Sequence, residues 1–126
     1  MQSEAIIVND ITVNWFEIPV TDLARASSFY ATLLGRAMGT MDGPDGPMHV
    51  FPGAQGPSGA LARGERKPTA DGVAIFLNCP DLDAALRRCQ GAGGQVAQPK
   101  TSIGPFGTIA VIVDPDGNRI GLHHGG

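Results

Sequence analysis

Trp15 and Glu17 stand two residues apart on an alternating run, Ile11 to Val20, and form the pair with the most evident capacity for chemistry. Residues two apart on an extended strand share a face, so an indole and a carboxylate would project together. A carboxylate facing an enclosed space needs a partner or a shifted pKa. It then serves as a structural ion pair, a ligand-binding charge or a general base. Glu17 is therefore the best catalytic candidate, and Arg119 is its expected ion-pair partner. The indole of Trp15, the only tryptophan, either fills space or offers a stacking wall to a planar or cationic ligand.

Other candidates lie in the second half of the chain. Phe76 and Asn78 share one face of the run Gly72–Cys79, and Arg119, Gly121 and His123 share one face of the last run. Phe106, in Gly104-Pro105-Phe106-Gly107, is flanked by flexible residues and can lid a cavity or plug a subunit contact. The expected ligand-binding set is Trp15, Glu17, Phe76, Asn78, Phe106, Arg119 and His123. A non-standard metal site from Glu17, His49 and His123 is a weaker alternative. Asp114-Pro115-Asp116-Gly117 lacks the further spaced carboxylates of a calcium loop and reads as a hairpin turn. The glycines of residues 53–59 do not follow a strand and open a helix, so they do not make a phosphate loop.

A repeated unit must position these residues. Asp22 to Arg36 (DLARASSFYATLLGR) returns 59 residues later as Asp81 to Gln95 (DLDAALRRCQGAGGQ). Each copy opens on Asp-Leu, a plausible N-cap followed by an amphipathic helix, and closes on glycine. In the first run Asn14, Phe16, Ile18 and Val20 share one face, and Val13, Trp15, Glu17 and Pro19 the other. Short strands are expected near Ala37–Met41, His49–Pro52, Gly59–Ala62, Gln95–Gln98, Thr108–Val113 and Arg119–His123. Gly43-Pro44-Asp45-Gly46 supplies a turn, and Arg63–Asp71 reads as the linker between halves.

Composition narrows the function classes. A chain of 126 residues, 42% hydrophobic and 17% charged, can bury a core and is not disordered. No apolar run reaches the roughly 20 residues needed to span a bilayer. Residues 1–10 (MQSEAIIVND) carry no visible secretory pattern, so a cytoplasmic location without membrane partners is expected. A net charge of −3 and no basic stripe argue against nucleic acid. Cys79 and Cys89 make no disulfide framework and read as reduced core residues.

These motifs together resemble the vicinal oxygen chelate superfamily, which includes glyoxalase I, extradiol dioxygenases, fosfomycin-resistance enzymes and bleomycin-binding proteins. The resemblance rests on Phe16-Glu17-Ile18-Pro19-Val20-Thr21-Asp22-Leu23 with Phe29-Tyr30 and Leu34-Gly35, on Asp81-Leu82-Asp83-Ala84-Ala85 with Gly93-Gly94, and on Asp114-Pro115-Asp116-Gly117-Asn118. It implies one α+β domain of two β-α-β-β-β modules, about 11–62 and 72–123, forming a curved, partly closed mixed sheet around a cavity with helices outside. It also implies a homodimer. Metal-using members place His or Glu ligands on the first and last strand of each module. Here those positions fall on Trp15, Ala74, Gly121, and Ala60 or Leu61, none of which can bind a metal. The expected function is a metal-independent small-molecule binder with no cofactor, sequestering a drug or metabolite. The rival is a glyoxalase-like lyase or isomerase using a displaced metal or Glu17 as base. A purely structural domain, its cavity filled by Trp15 and Phe76, is the third class.

Overall fold

The computed structural model describes residues 11–44 and 46–125. The leader reading over residues 1–10, and Asp45 of the first expected turn, lie outside the described residues. The first module runs β1 (Phe16–Pro19), α1 (Leu23–Leu34), β2 (Gly39–Gly43), β3 (Gly46–Gly53) and β4 (Gly56–Ala62). The second repeats it as β5 (Phe76–Asn78), α2 (Leu82–Gly91), β6 (Gln95–Ser102), β7 (Gly107–Val113) and β8 (Arg119–Gly125). The strands form two four-stranded mixed sheets of matching order, β1-β4-β3-β2 and β5-β8-β7-β6, neither of them closed. This is the expected α+β architecture of paired β-α-β-β-β modules.

Both helices start where Asp-Leu placed them. The Asp22 carboxylate accepts from the Arg25 amide at 3.0 Å, and Asp81 accepts from Ala84 at 3.0 Å, each satisfying an otherwise orphaned first-turn donor. Gly35 ends α1 in the left-handed region at φ 67, which glycine adopts without Cβ strain. The helix stripes pack onto both sheets around one core, with Ile18, Tyr30, Leu33, Leu61, Cys89, Ile112 and Leu122 fully buried. Phe51 meets Tyr30 edge-on at 5.4 Å, and Tyr30 meets Phe29 at 5.1 Å.

Two expected strands are shorter than their alternating patterns. Residues 11–15 precede β1 instead of belonging to it. Phe16, the first residue of β1, pairs in parallel with Gly59 of β4. In the second module β5 keeps only Phe76–Asn78, although the Ile75 carbonyl still accepts from the Gly121 amide of β8 at 2.8 Å.

The Asp114–Asn118 turn does more than reverse the chain. Asp114 accepts from Tyr30 Oη at 2.6 Å and from Asn118 Nδ2 at 3.0 Å. Asn118 Nδ2 also donates to the Pro19 carbonyl at 2.8 Å. Asp116 accepts from Thr21 Oγ1 at 2.6 Å and Arg25 Nη2 at 2.7 Å. One turn of the second module thus clamps the start of α1 in the first.

Candidate functional site

Strand alternation decides which side chains reach solvent-accessible space. Ile18 and Val20 enter the core, leaving Glu17 and Pro19 on the opposite, open face of the first sheet. That face carries a groove of about 1030 Å³. Pro19, Leu23, Pro47 and Met48 form its apolar walls, and Arg63, Glu65 and Arg66 join Glu17 as its charged groups. Glu17 is bound on both oxygens: Arg66 Nη2 bridges Oε1, and the Trp15 indole N–H donates to Oε2 at 3.1 Å. The partner expected from sequence, Arg119, is displaced by Arg66. The segment after β4 returns along the groove, whereas Arg119 belongs to the other sheet.

Trp15 also departs from expectation. It sits just before β1, remains 38% exposed, and orients Glu17 from the groove's edge; it is not among the residues forming the groove walls. The walls instead draw on the Arg63–Arg66 stretch that sequence presented as a plain linker. The available signal was its density of charge, with Arg63, Glu65, Arg66 and Lys67 crowded into five residues.

Phe76 and Arg119 line a second, smaller pocket of about 230 Å³ on the open face of the second sheet. Phe76 pairs in register with Gly121, and its ring lies so close that a Cβ on Gly121 would collide with it. The two cavities share no lining residue, so Glu17 and Phe76 do not meet in one hollow within a chain. Asn78 and His123 pair with each other at the end of β5, outside both sets of walls. His123 Nε2 hydrogen bonds to the Phe106 carbonyl at 2.7 Å, and the Phe106 side chain projects outward at 72% exposure. Phe106 lids neither cavity.

The donor set does not fit a divalent ion. Ala60 stands opposite Glu17 in the β1·β4 register and Gly121 opposite Phe76 in β5·β8, so the two closing-strand positions offer no side-chain donor. His49 pairs with Leu61 in the row of buried Ile18, away from Glu17, and His123 belongs to the other module. Among the described residues no three His, Cys, Asp or Glu side chains come together. The alternative site from Glu17, His49 and His123 therefore does not assemble.

The thiols are not activated. Burial pushes Cys89 up to about 11, with the charge of Asp114 adding to the effect, and burial also raises Cys79. Tyr30 is raised well above its usual value by burial and by the Asp114 carboxylate its hydroxyl meets.

The profile of the Glyoxalase/Bleomycin resistance protein/Dioxygenase superfamily matches residues 12–122. The chain belongs to that superfamily. A relative from Mycobacterium tuberculosis, named "Putative glyoxylase CFP32", is 29% identical over 118 residues, which cover 88% of this chain and 44% of the relative. The chain thus spans under half the length of that protein. A "Glyoxylase-like domain-containing protein" of Didymella fabae is 32% identical over 101 residues, covering 74% of this chain and 77% of its own. Among solved structures, TnmS3, an antibiotic binding protein from Streptomyces sp. CB03234, superposes with a TM-score of 0.64 at 26% identity, covering 95% of this chain and all of that one. No helix among the described residues is long and apolar enough to cross a membrane.

Proposed function

We propose that this superfamily member is a metal-independent small-molecule-binding protein, one domain that sequesters a drug or metabolite in the groove beside Glu17. One observation supports the reading: Ala60 pairs with Glu17 and Gly121 with Phe76, and neither of these closing-strand residues, to which the resemblance assigns ligand positions, has a side-chain donor. The groove has the mixed character such binders use, apolar proline, leucine and methionine walls with a few fixed charges. Its volume of about 1030 Å³ suits a ligand at the large end of the usual range of roughly 300–1,000 Å³. The antibiotic-binding relative supports the same class of ligand.

A homodimer in the cytoplasm, without nucleic-acid partners, belongs to this reading. One chain leaves Met41, Ile103 and Phe106 exposed, and a second copy would cover apolar surface of this kind.

The second reading is a glyoxalase-like lyase or isomerase with Glu17 as general base, favoured by the position of Glu17 on the groove. Against it, both carboxylate oxygens already accept hydrogen bonds, so a substrate proton competes with a guanidinium and an indole. Titrating the fluorescence of Trp15 with metal-free bleomycin tests the proposal. Saturable quenching in EDTA, weakened by Arg66→Gln, is expected. Turnover of the glutathione–methylglyoxal hemithioacetal, abolished by Glu17→Gln, would replace the binder with the enzyme.

A further inference from the structure

The second-module pocket differs from the groove in charge as well as size. Val73, Phe76, Ile109 and Val111 make its walls and Gly121 part of its floor. Arg119 is the one charged residue among those lining it, and no acid faces it from the strands that form it. Arg119 is exposed, and none of the ion pairs among the described residues involves it. A guanidinium in such a setting retains its full donor fork, whose planar geometry matches a carboxylate in bidentate fashion.

The floor adds a shape requirement. Gly121 has no side chain, and the Phe76 ring occupies the space a Cβ would take, while remaining 49% exposed. An aromatic surface is thereby laid against the backbone two residues from Arg119, next to aliphatic Val111 and Ile109. At about 230 Å³ the pocket falls below the roughly 300–1,000 Å³ of drug-sized sites, which limits the occupant to one or two rings.

We infer that this pocket binds a small aromatic carboxylate, its ring against Phe76 and its carboxylate on Arg119. The inference rests on the reading of the chain as a small-molecule binder but assigns a second ligand class to a separate place. Anionic ligands are selected here because the pocket supplies one positive charge and no negative one. The Glu17 groove, with charges of both signs, lacks that bias.

The test is an amide-resolved NMR titration of the intact protein with 2-naphthoate, 2-naphthalenemethanol and 2-naphthylmethylammonium. Naphthoate should give saturable shifts at Phe76, Val111 and Gly121 while the amides of Glu17 and Arg66 stay in place. The neutral and cationic analogues should bind at least about 10-fold more weakly, and Arg119→Gln should cost naphthoate about the same factor, as expected for a hydrogen bond to a charged group. Arg119 is exposed, so the variant should keep the wild-type spectrum elsewhere, and Phe76→Ala gives a second, independent loss. Equal binding of the cation, or naphthoate affinity unchanged in Arg119→Gln, overturns the inference. Shifts confined to Glu17, Arg63 and Arg66 overturn it too, while leaving the groove reading intact.

Discussion

The Tyr30 hydroxyl donates to Asp114 Oδ2 at 2.6 Å across 84 residues of sequence, and both groups are buried. The bond joins the first module's helix to the turn between β7 and β8, so the relative placement of the two open faces depends on it. Asp114 also accepts from Asn118 Nδ2 and from the amides of Asp116 and Asn118, a network that leaves its carboxylate well satisfied away from water.

Tyr30→Phe should therefore destabilise the fold by about 1–3 kcal/mol, the cost of leaving a buried acceptor short of a charged hydrogen bond. Urea denaturation measures it. A change within experimental error would mean that the other donors to Asp114 compensate fully.

Stability should decline in alkali. Cys89 keeps its proton up to about 11 in the folded protein against 9.0 in an unfolded chain, and buried Tyr30 is raised in the same direction. Below about pH 8 both states hold these protons and the contribution is complete; above about pH 9 the unfolded thiol ionises first and folding loses ground. Denaturation midpoints across this range should fall, and Cys89→Ala should flatten part of the slope. A midpoint that stays level through about pH 10.5 would show that these two groups do not set the alkaline limit.

Two alanine substitutions at glycine should behave oppositely. A Cβ on Gly94 would lie 2.7 Å from both Cys89 Sγ and the buried Phe29 ring, so Gly94→Ala should cost about 1–3 kcal/mol through overpacking. Gly91, the last residue of α2, has open space around its would-be Cβ, and Gly91→Ala should stabilise by up to about 1 kcal/mol through helix propensity. Thermal melts of both variants decide the matter, and equal shifts would contradict the packing at the helix end.

The Glu17–Arg66 pair should matter to ligands more than to folding. Both side chains are partly exposed, so Arg66→Gln should alter stability by no more than about 1 kcal/mol. It should nonetheless shift Trp15 emission, because the carboxylate that the indole holds loses its other partner. An unchanged emission maximum would show that Arg66 does not govern the position of Glu17.

Local chemistry carried much of this arrangement in the sequence. Asp22 and Asp81 declared the helix starts because capping needs only a carboxylate within the first turn. Alternation placed Glu17 opposite Ile18 and Val20 for the same reason: the period of a strand is a backbone property. What could not be read depends on distant contacts. The extent of β1 is set by its pairing with β4, some forty residues away in the chain. The exchange of Arg119 for Arg66 depends on the path of a segment without periodicity. The Asp114–Asn118 turn was recognisable as a hairpin, but its clamp on Thr21, Arg25 and Tyr30 required the two modules to be packed.

Metal independence, as proposed, requires that the groove and the positions paired with it hold no metal ion, and counting bound metal checks this. Purified protein is dialysed against Zn²⁺, Mn²⁺ or Ni²⁺, freed of unbound ion, and assayed by inductively coupled plasma mass spectrometry. Retained metal should fall far below one ion per chain, with the Trp15 emission unchanged. One ion held per chain, and lost on Glu17→Gln, would contradict metal independence.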